Sequence, residues 1–226
     1  MKKVILLSGG IDSTTCLAVA RKDTSQDEIL AMNCFYGQRN VREMQSARSI
    51  AEHYGVRLIE VDLAEIFSYS NCPMLAHSDR DIDHRPYSVQ SGETGGRYPI
   101  SSYVPFRNGL MLSAAVTVAY SVGASEVFYG AHADDAAGNA YPDCSEAFVN
   151  AMSAAAQEGT AGKVKITAPL VRLHKHEIVR LGTDLGAPYS LTWSCYEDGD
   201  HPCGKCGTCI AIQDAFKANG LEYPVK

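Results

Sequence analysis

The sequence predicts an α/β protein, a parallel sheet with helices on both faces, closed at its C-terminus by a small helical lobe that carries cysteines. Three observations predict it. Short apolar runs alternate with helical patterns along most of the chain. A glycine pair, Gly9-Gly10, stands where the first apolar run meets the first helix. Four cysteines crowd the C-terminal part at Cys195, Cys203, Cys206 and Cys209. Two units are expected: 1–190 for the α/β body, with an extended loop at about 64–105, and 191–226 for the cysteine lobe.

Val4-Ile5-Leu6-Leu7 has the length and branching of a buried strand, and Ser13 to Ala20 reads as helix. Between them lies a tight turn. Glycine has no Cβ, so backbone N–H groups there can close on a ligand. Those N–H groups, the hydroxyls of Ser8, Ser13 and Thr14, and the positive helix end all favour an anion. Ile29 to Phe35 is the second strand, ending at Tyr36-Gly37-Gln38-Arg39. Val41, Met44, Ala47, Ile50 and Tyr54 recur at helical spacing and stop at Gly55. Arg57 to Asp62 is a third strand. Strand, helix, strand, helix, strand implies right-handed crossovers and a parallel sheet.

The stretch from Ala64 to Pro105 breaks the pattern and reads as an excursion, with a short helix at most around Leu63 to Ser68. Asn108 to Val122 is a helix apolar on most sides, hence buried. Glu126 to Gly130 is a fourth strand, Glu146 to Gln157 a helix, and Val164 to Pro169 a fifth strand. A helix from His174 to Leu185 and a last one from about Thr208 to Asn219 complete the series.

The chain has 226 residues, 46% hydrophobic and 20% charged, in the range of a soluble globular protein. The apolar run after Lys2-Lys3 stops at Ser8, too short for a signal core or a membrane span. A cytoplasmic protein with no membrane partner is expected. The net charge of −6 and the lack of a basic arm argue against nucleic acid as a partner.

The cysteine spacing is C-x7-C-x2-C-x2-C. Four thiolates close a tetrahedral set with no position left for water, so a structural zinc site is expected at Cys195, Cys203, Cys206 and Cys209. A four-cysteine set also suits an iron–sulfur cluster. Cys16, Cys34, Cys72 and Cys144 are scattered and read as inert thiols. His174-Lys175-His176 is set aside as a metal site because residues two apart on a helix face different ways. Lys163, Lys165 and Lys175 read as surface residues as readily as phosphate ligands. Trp193 either stacks on a flat ring or simply packs.

The turn lacks the lysine of the common phosphate loop and does not match the dinucleotide fingerprint. Ser8-Gly9-Gly10-Ile11-Asp12-Ser13 instead resembles the PP-loop ATP pyrophosphatases, whose sheet is Rossmann-like and of the HUP type. With Tyr36-Gly37-Gln38-Arg39, Tyr103-Val104-Pro105-Phe106-Arg107-Asn108, Tyr141-Pro142-Asp143-Cys144 and Ser194-Cys195-Tyr196 in order, nearly the whole chain resembles the 7-cyano-7-deazaguanine synthase (QueC) family.

That resemblance implies an ATP-dependent ligase forming carbon–nitrogen bonds. 7-Carboxy-7-deazaguanine would be activated as an acyl-adenylate, ammonia would give the amide, and a second ATP would convert amide to nitrile, in queuosine and related 7-deazaguanine biosynthesis. It implies ATP with Mg²⁺ held along Leu7, Ser8, Gly9, Gly10, Ile11, Asp12, Ser13, Thr14, Thr15, Cys16 and Leu17. Asp12 and Ser13 are the catalytic candidates; Asp12 reads equally as a loop orienter or Mg²⁺ ligand and as a helix-start carboxylate. Gln38, Arg39, Arg107, Asn108, Tyr141 and Asp143 are the substrate-binding candidates, and a homodimer is expected. Rival readings are a relative that stops at the amide or takes another amine, a tRNA-modifying enzyme, and a zinc-stabilised nucleotide-binding module. The segment 64–102 and Gly138-Asn139-Ala140 before Tyr141 depart from the family pattern.

Overall fold

Alternation along the strands decides which helix covers which face, because neighbouring residues of a strand point to opposite sides. The structure is a computed structural model that describes residues 1–197 and 199–225; Asp198 and Lys226, in the expected C-terminal unit, lie outside the described residues. Its strands are β1 (Lys3–Leu6), β2 (Ile29–Phe35), β3 (Arg57–Asp62), β4 (Glu126–Phe128) and β5 (Lys165–Thr167). They form one parallel sheet in the order β3-β2-β1-β4-β5, with Lys3 opposite both Ile29 and Glu126.

Ile5, Leu7, Ile29 and Ala31 face one side. They pack on Leu17 and Ala20 of α1 (Ile11–Arg21) and on Ala47, Ile50 and Ala51 of α2 (Arg42–Tyr54). Val4, Leu30, Met32 and Val127 face the other side. There they meet Leu112, Ala115 and Ala119 of α5 (Arg107–Val122) and Val149 and Ala156 of α7 (Glu146–Gly159). Each fully buried Ile, Leu or Met contributes about 1.5–3 kcal/mol. Ser145 accepts the Phe148 N–H at 3.1 Å and caps α7.

The C-terminal helices dock on α1. Ile11 and Cys16 share a core with Ile178 and Val179 of α8 (Lys175–Asp184) and Ile212 and Phe216 of α9 (Gly207–Ala218). Tyr189 locks this junction: its hydroxyl lies 2.8 Å from Thr15 Oγ1 and donates to Ile178 O at 3.0 Å. Gly182 leaves room for it, since a Cβ there would stand 1.8 Å from the Tyr189 oxygen.

The expected strands and helices are present, with ends displaced by at most two residues. The segment 64–105 departs further from expectation. Besides the short α3 (Ala64–Phe67), it forms α4 (Tyr87–Thr94) and a satellite core of Tyr36, Phe67, Met74, Leu75 and Val104. Local pattern did not announce α4, because tertiary contacts hold it. Its Tyr87 ring fills the space in front of Gly207, where a Cβ would lie 2.4 Å away, and meets Tyr141 edge to face at 5.7 Å. A further short helix, α6 (Ala133–Ala136), follows β4.

Candidate active site

The order of the sheet reverses at β1, with β2 on one side and β4 on the other, and a cleft of about 210 Å³ opens at the C-terminal strand ends there. Its floor is the glycine turn. Gly9 has φ +97°, and a Cβ on it would lie 2.3 Å from the Glu43 carbonyl oxygen, so the first turn of α2 presses directly on the loop. Only glycine fits both conditions. Ser13 Oγ accepts the Gly9 N–H at 3.3 Å and lies 3.0 Å from Ser8 Oγ. Asn33 Nδ2 donates to Leu7 O at 2.7 Å, while its buried Oδ1 has no partner among the described residues.

A cation stands over the turn. Lys175, from the start of α8, donates to both carboxylate oxygens of Asp12 at 2.7 and 2.8 Å. Its Nζ is also 3.0 Å from Nε2 of the buried His132. Burial pushes the Asp12 carboxyl up, but the charges of Lys175 and then His132 outweigh it, and Asp12 sits below the usual carboxylate range. Burial likewise pulls Lys175 down, and Asp12 and Asp135 more than reverse it.

A second cation, Arg107, opens α5. Its guanidinium donates to Tyr36 Oη at 3.0 Å and lies 4.9 Å from that ring's centroid, and among the described residues it forms no ion pair. Glu43 also faces the cleft, and burial holds its carboxyl up at about 7. The β4 side of the wall comes from Tyr129, Gly130, Asp135, Tyr141 and Cys144.

The structure brings together only part of the expected set. Leu7, Ser8, Gly10, Asp12 and Ser13 line the cleft. Ile11, Thr14, Thr15, Cys16 and Leu17 are buried behind it, with the Thr14 hydroxyl turned to Gly10 O at 2.8 Å and that of Thr15 to Ile11 O at 2.8 Å. They shape the helix start rather than face the cleft. Gln38, Arg107, Asn108 and Tyr141 reach the cleft wall. Arg39 does not: its guanidinium is taken up by the carbonyls of Leu75, Ser78 and Arg80. Asp143 lies behind the wall, where one oxygen accepts the Asn108 N–H at 3.1 Å. Lys175 was one of three lysines without distinction in the sequence, because its partner Asp12 lies far away along the chain. Tyr87, Asn33 and Glu43 carried no signal of their own.

One lesser expectation is corrected, and one open alternative is decided. His174 and His176 do not face apart: their rings stack 6.0 Å apart at 11°, because His174 is the extended residue before α8 rather than part of it. Trp193 is buried and packs, with Arg42 over its ring at 4.8 Å and its indole N–H on Cys195 O at 3.2 Å.

The sulfurs of Cys195, Cys203, Cys206 and Cys209 all lie within 4.8 Å of one another, and none is in a disulfide. A tetrahedron of thiolates about 2.3 Å from one ion has sulfurs about 3.8 Å apart; Cys203 and Cys209 are at 4.0 Å. The N–H groups of Cys203 and Cys206 point at sulfur, 3.2 Å from Cys195 Sγ and 3.3 Å from Cys203 Sγ. The set fits a tetrahedral metal ion.

Sheet, glycine turn and cleft define an α/β protein of the PP-loop ATPase type. In solved structures the same architecture recurs in an NMN synthetase from Francisella tularensis (TM-score 0.52, 16% identity, 98% of this chain and 78% of that one). It recurs also in the U34-tRNA thiolase NcsA from Methanococcus maripaludis, solved with its [4Fe-4S] cluster (TM-score 0.52, 18% identity, 97% and 67%). At such identities the likeness shows the fold alone. The sequence itself goes further. The profile of the family described as "Queuosine biosynthesis protein QueC" matches residues 2–220, and the chain belongs to that family. It is 41% identical to the 7-cyano-7-deazaguanine synthase of Archaeoglobus fulgidus over 226 residues, covering 100% of this chain and 90% of the relative. It is 41% identical to that of Methanoculleus marisnigri, covering 100% and 98%.

The Asp12–Lys175 pair makes a pH-dependent contribution to stability. The folded-state value of Asp12 is lowered, so the contribution is present above the unfolded carboxylate value and is lost as pH falls through the folded one. Lys175→Met leaves a partly buried carboxylate without its ammonium and is expected to cost about 1–3 kcal/mol near pH 7, below the full cost of breaking a deeply buried pair. Urea unfolding at pH 7 and near pH 3 checks it: the gap between wild type and variant should shrink at the lower pH. A gap that stays constant would mean that the loss comes from packing of the lysine stem and not from the charge pair.

Proposed function

We propose that this protein is a 7-cyano-7-deazaguanine synthase that acts on 7-carboxy-7-deazaguanine, ATP and ammonia. The observation that carries the reading is the cleft itself: a glycine turn suited to an anion, Lys175 above it, and a half-buried Arg107 that forms no ion pair among the described residues, in a chain 41% identical to relatives of that name. ATP lies across the ends of β1 and β2, with its pyrophosphate on the N–H groups of the turn and on Lys175. The unpartnered Asn33 Oδ1 is placed to accept from an amino group such as that of adenine. Arg107 takes the substrate carboxylate and sets it in line with the α-phosphorus. Lys175, released from Asp12, follows the negative charge that gathers on departing pyrophosphate. Asp12 then has a free carboxylate, suited to the Mg²⁺ that accompanies ATP. Ammonia attacks the acyl-adenylate, and the amide oxygen is later removed as part of AMP.

Incubation of the protein with 7-carboxy-7-deazaguanine, ATP, Mg²⁺ and ammonium, followed by mass spectrometry, tests the reading. Nitrile is expected. Amide as the end product would make the protein a ligase that stops one step earlier, and no turnover would reject both. Asp12→Ala should abolish ATP-dependent pyrophosphate release.

The metal we infer is one structural Zn²⁺ per chain, on Cys195, Cys203, Cys206 and Cys209. It would hold Ser194, Tyr196 and Thr208, their close neighbours in sequence, as part of the cleft wall. In this reading the segment 191–226 is a metal-built wall rather than an independent unit. Elemental analysis should return one zinc and no iron, without visible absorption; chelation should lower the thermal midpoint. Iron with visible absorption would replace zinc by an iron–sulfur cluster.

No helix among the described residues is long and apolar enough to cross a membrane, and we place the protein in the cytoplasm, acting without nucleic acid. We infer a homodimer. The outer faces of α5 and α7, around the exposed Tyr120, carry hardly any charge and can meet their own copy without like-charge repulsion. Sedimentation as a species of twice the chain mass is expected, and a monomer at working concentration would overturn it.

A further inference from the structure

Four hydroxyls in the cleft wall form one unbroken chain. Ser102 Oγ lies 2.6 Å from Tyr141 Oη, Tyr141 Oη lies 3.0 Å from Tyr196 Oη, and Tyr196 Oη hydrogen-bonds to Tyr87 Oη. All four residues line the cleft. Tyr87 also borders a second groove on the outside, between α4 and α9, with its ring against Gly207 there. Its members come from four separate parts of the sequence. The rings are held in place: Tyr87 against Tyr141 at 86° and over Gly207, and Tyr141 against Tyr103 at 6.5 Å.

A hydroxyl is donor and acceptor at once, so each can take up one proton while passing another on. No member of the chain has to change its charge. Burial first, and then the charge of Asp135, hold the Tyr141 hydroxyl up at about 12, so it keeps its proton at neutral pH. The pocket would not need such a chain for shape alone, since phenylalanine rings would fill the same space.

We propose that Ser102, Tyr141, Tyr196 and Tyr87 form a proton path that carries the substrate's N–H protons from the cleft to the outer groove while amide becomes nitrile. The proposal rests on the synthase reading above. In that step the amide oxygen bonds to the α-phosphorus of ATP, and pyrophosphate leaves. The carbon–oxygen bond then breaks, AMP departs with the oxygen, and carbon and nitrogen form the triple bond. Nitrogen loses both of its protons on the way. Adenylation of the acid, by contrast, releases no N–H proton and has no use for the path.

That contrast supplies the test. Tyr196→Phe cuts the chain in the middle and Tyr87→Phe cuts its outer end, each keeping the ring. Given 7-carbamoyl-7-deazaguanine and ATP, both variants should form nitrile about 100-fold more slowly than wild type, the scale of a lost proton transfer. KM for the amide should stay the same. With the acid and ATP but no ammonium, both should release pyrophosphate in a burst equal to wild type, which also shows that they are folded. Tyr103→Phe loses a hydroxyl outside the chain, one that accepts the Phe106 N–H at 2.9 Å, and should dehydrate the amide at the wild-type rate. Wild-type dehydration in both chain variants would overturn the path. So would an equal fall of burst and dehydration, because the hydroxyls would then only shape the pocket. If wild type itself gives neither burst nor nitrile, the synthase reading fails and takes the path with it.

Discussion

The constraint on which the structure depends is the close fit around Gly9 and Gly10. The turn is gripped from several directions. The first turn of α2 presses on Gly9, and Gly130 at the end of β4 lies so near Asp12 that a Cβ would stand 3.1 Å from it. The Trp193 N–H donates to Gly9 O at 2.9 Å, and Asn33 holds Leu7 O. A loop fixed in this way has its donors aimed before any ligand arrives, so little ordering remains to oppose binding. The same grip joins distant parts of the chain, because Trp193 belongs to the cysteine-bearing segment. The four-cysteine segment near the end of the sequence is thus hydrogen-bonded to the glycine turn at its beginning.

Charge is distributed to match. The chain as a whole is acidic, at −6, yet the cleft contains Lys175 and Arg107. A surface of that sign discourages extended polyanions, whereas two enclosed cations in a low-dielectric pocket attract small anions strongly. Lys175 stands near the turn, where the common phosphate loop has a lysine of its own, but it arrives from α8. It rests on Asp12, so neither charge is buried alone.

Much of the fold was legible in the sequence. β1 to β3 and α2 were legible because their apolar periods are regular and glycines mark their ends. The glycine turn was legible because close backbone approach and tight turning restrict the residue type at each position. The cysteine cluster was legible because metal ligands close in sequence keep a characteristic spacing. α4 was not, since its stability comes from Tyr87 seated on Gly207, a contact across more than half of the chain. Arg39 misled, because a motif position shows which residue is present and not whether its guanidinium meets a ligand or, as here, three backbone carbonyls.

The sequence by itself determined the layered α/β architecture, the glycine turn, the four-cysteine set and the family resemblance, all of which depend on residue type at short spacing. Only the tertiary structure decided that Lys175 meets Asp12, that Arg107 forms no ion pair among the described residues, and that Tyr87, Tyr141 and Tyr196 join hydroxyls. Those contacts form between residues far apart along the chain, and a periodic pattern has no term for which of many similar side chains the packed core will bring face to face.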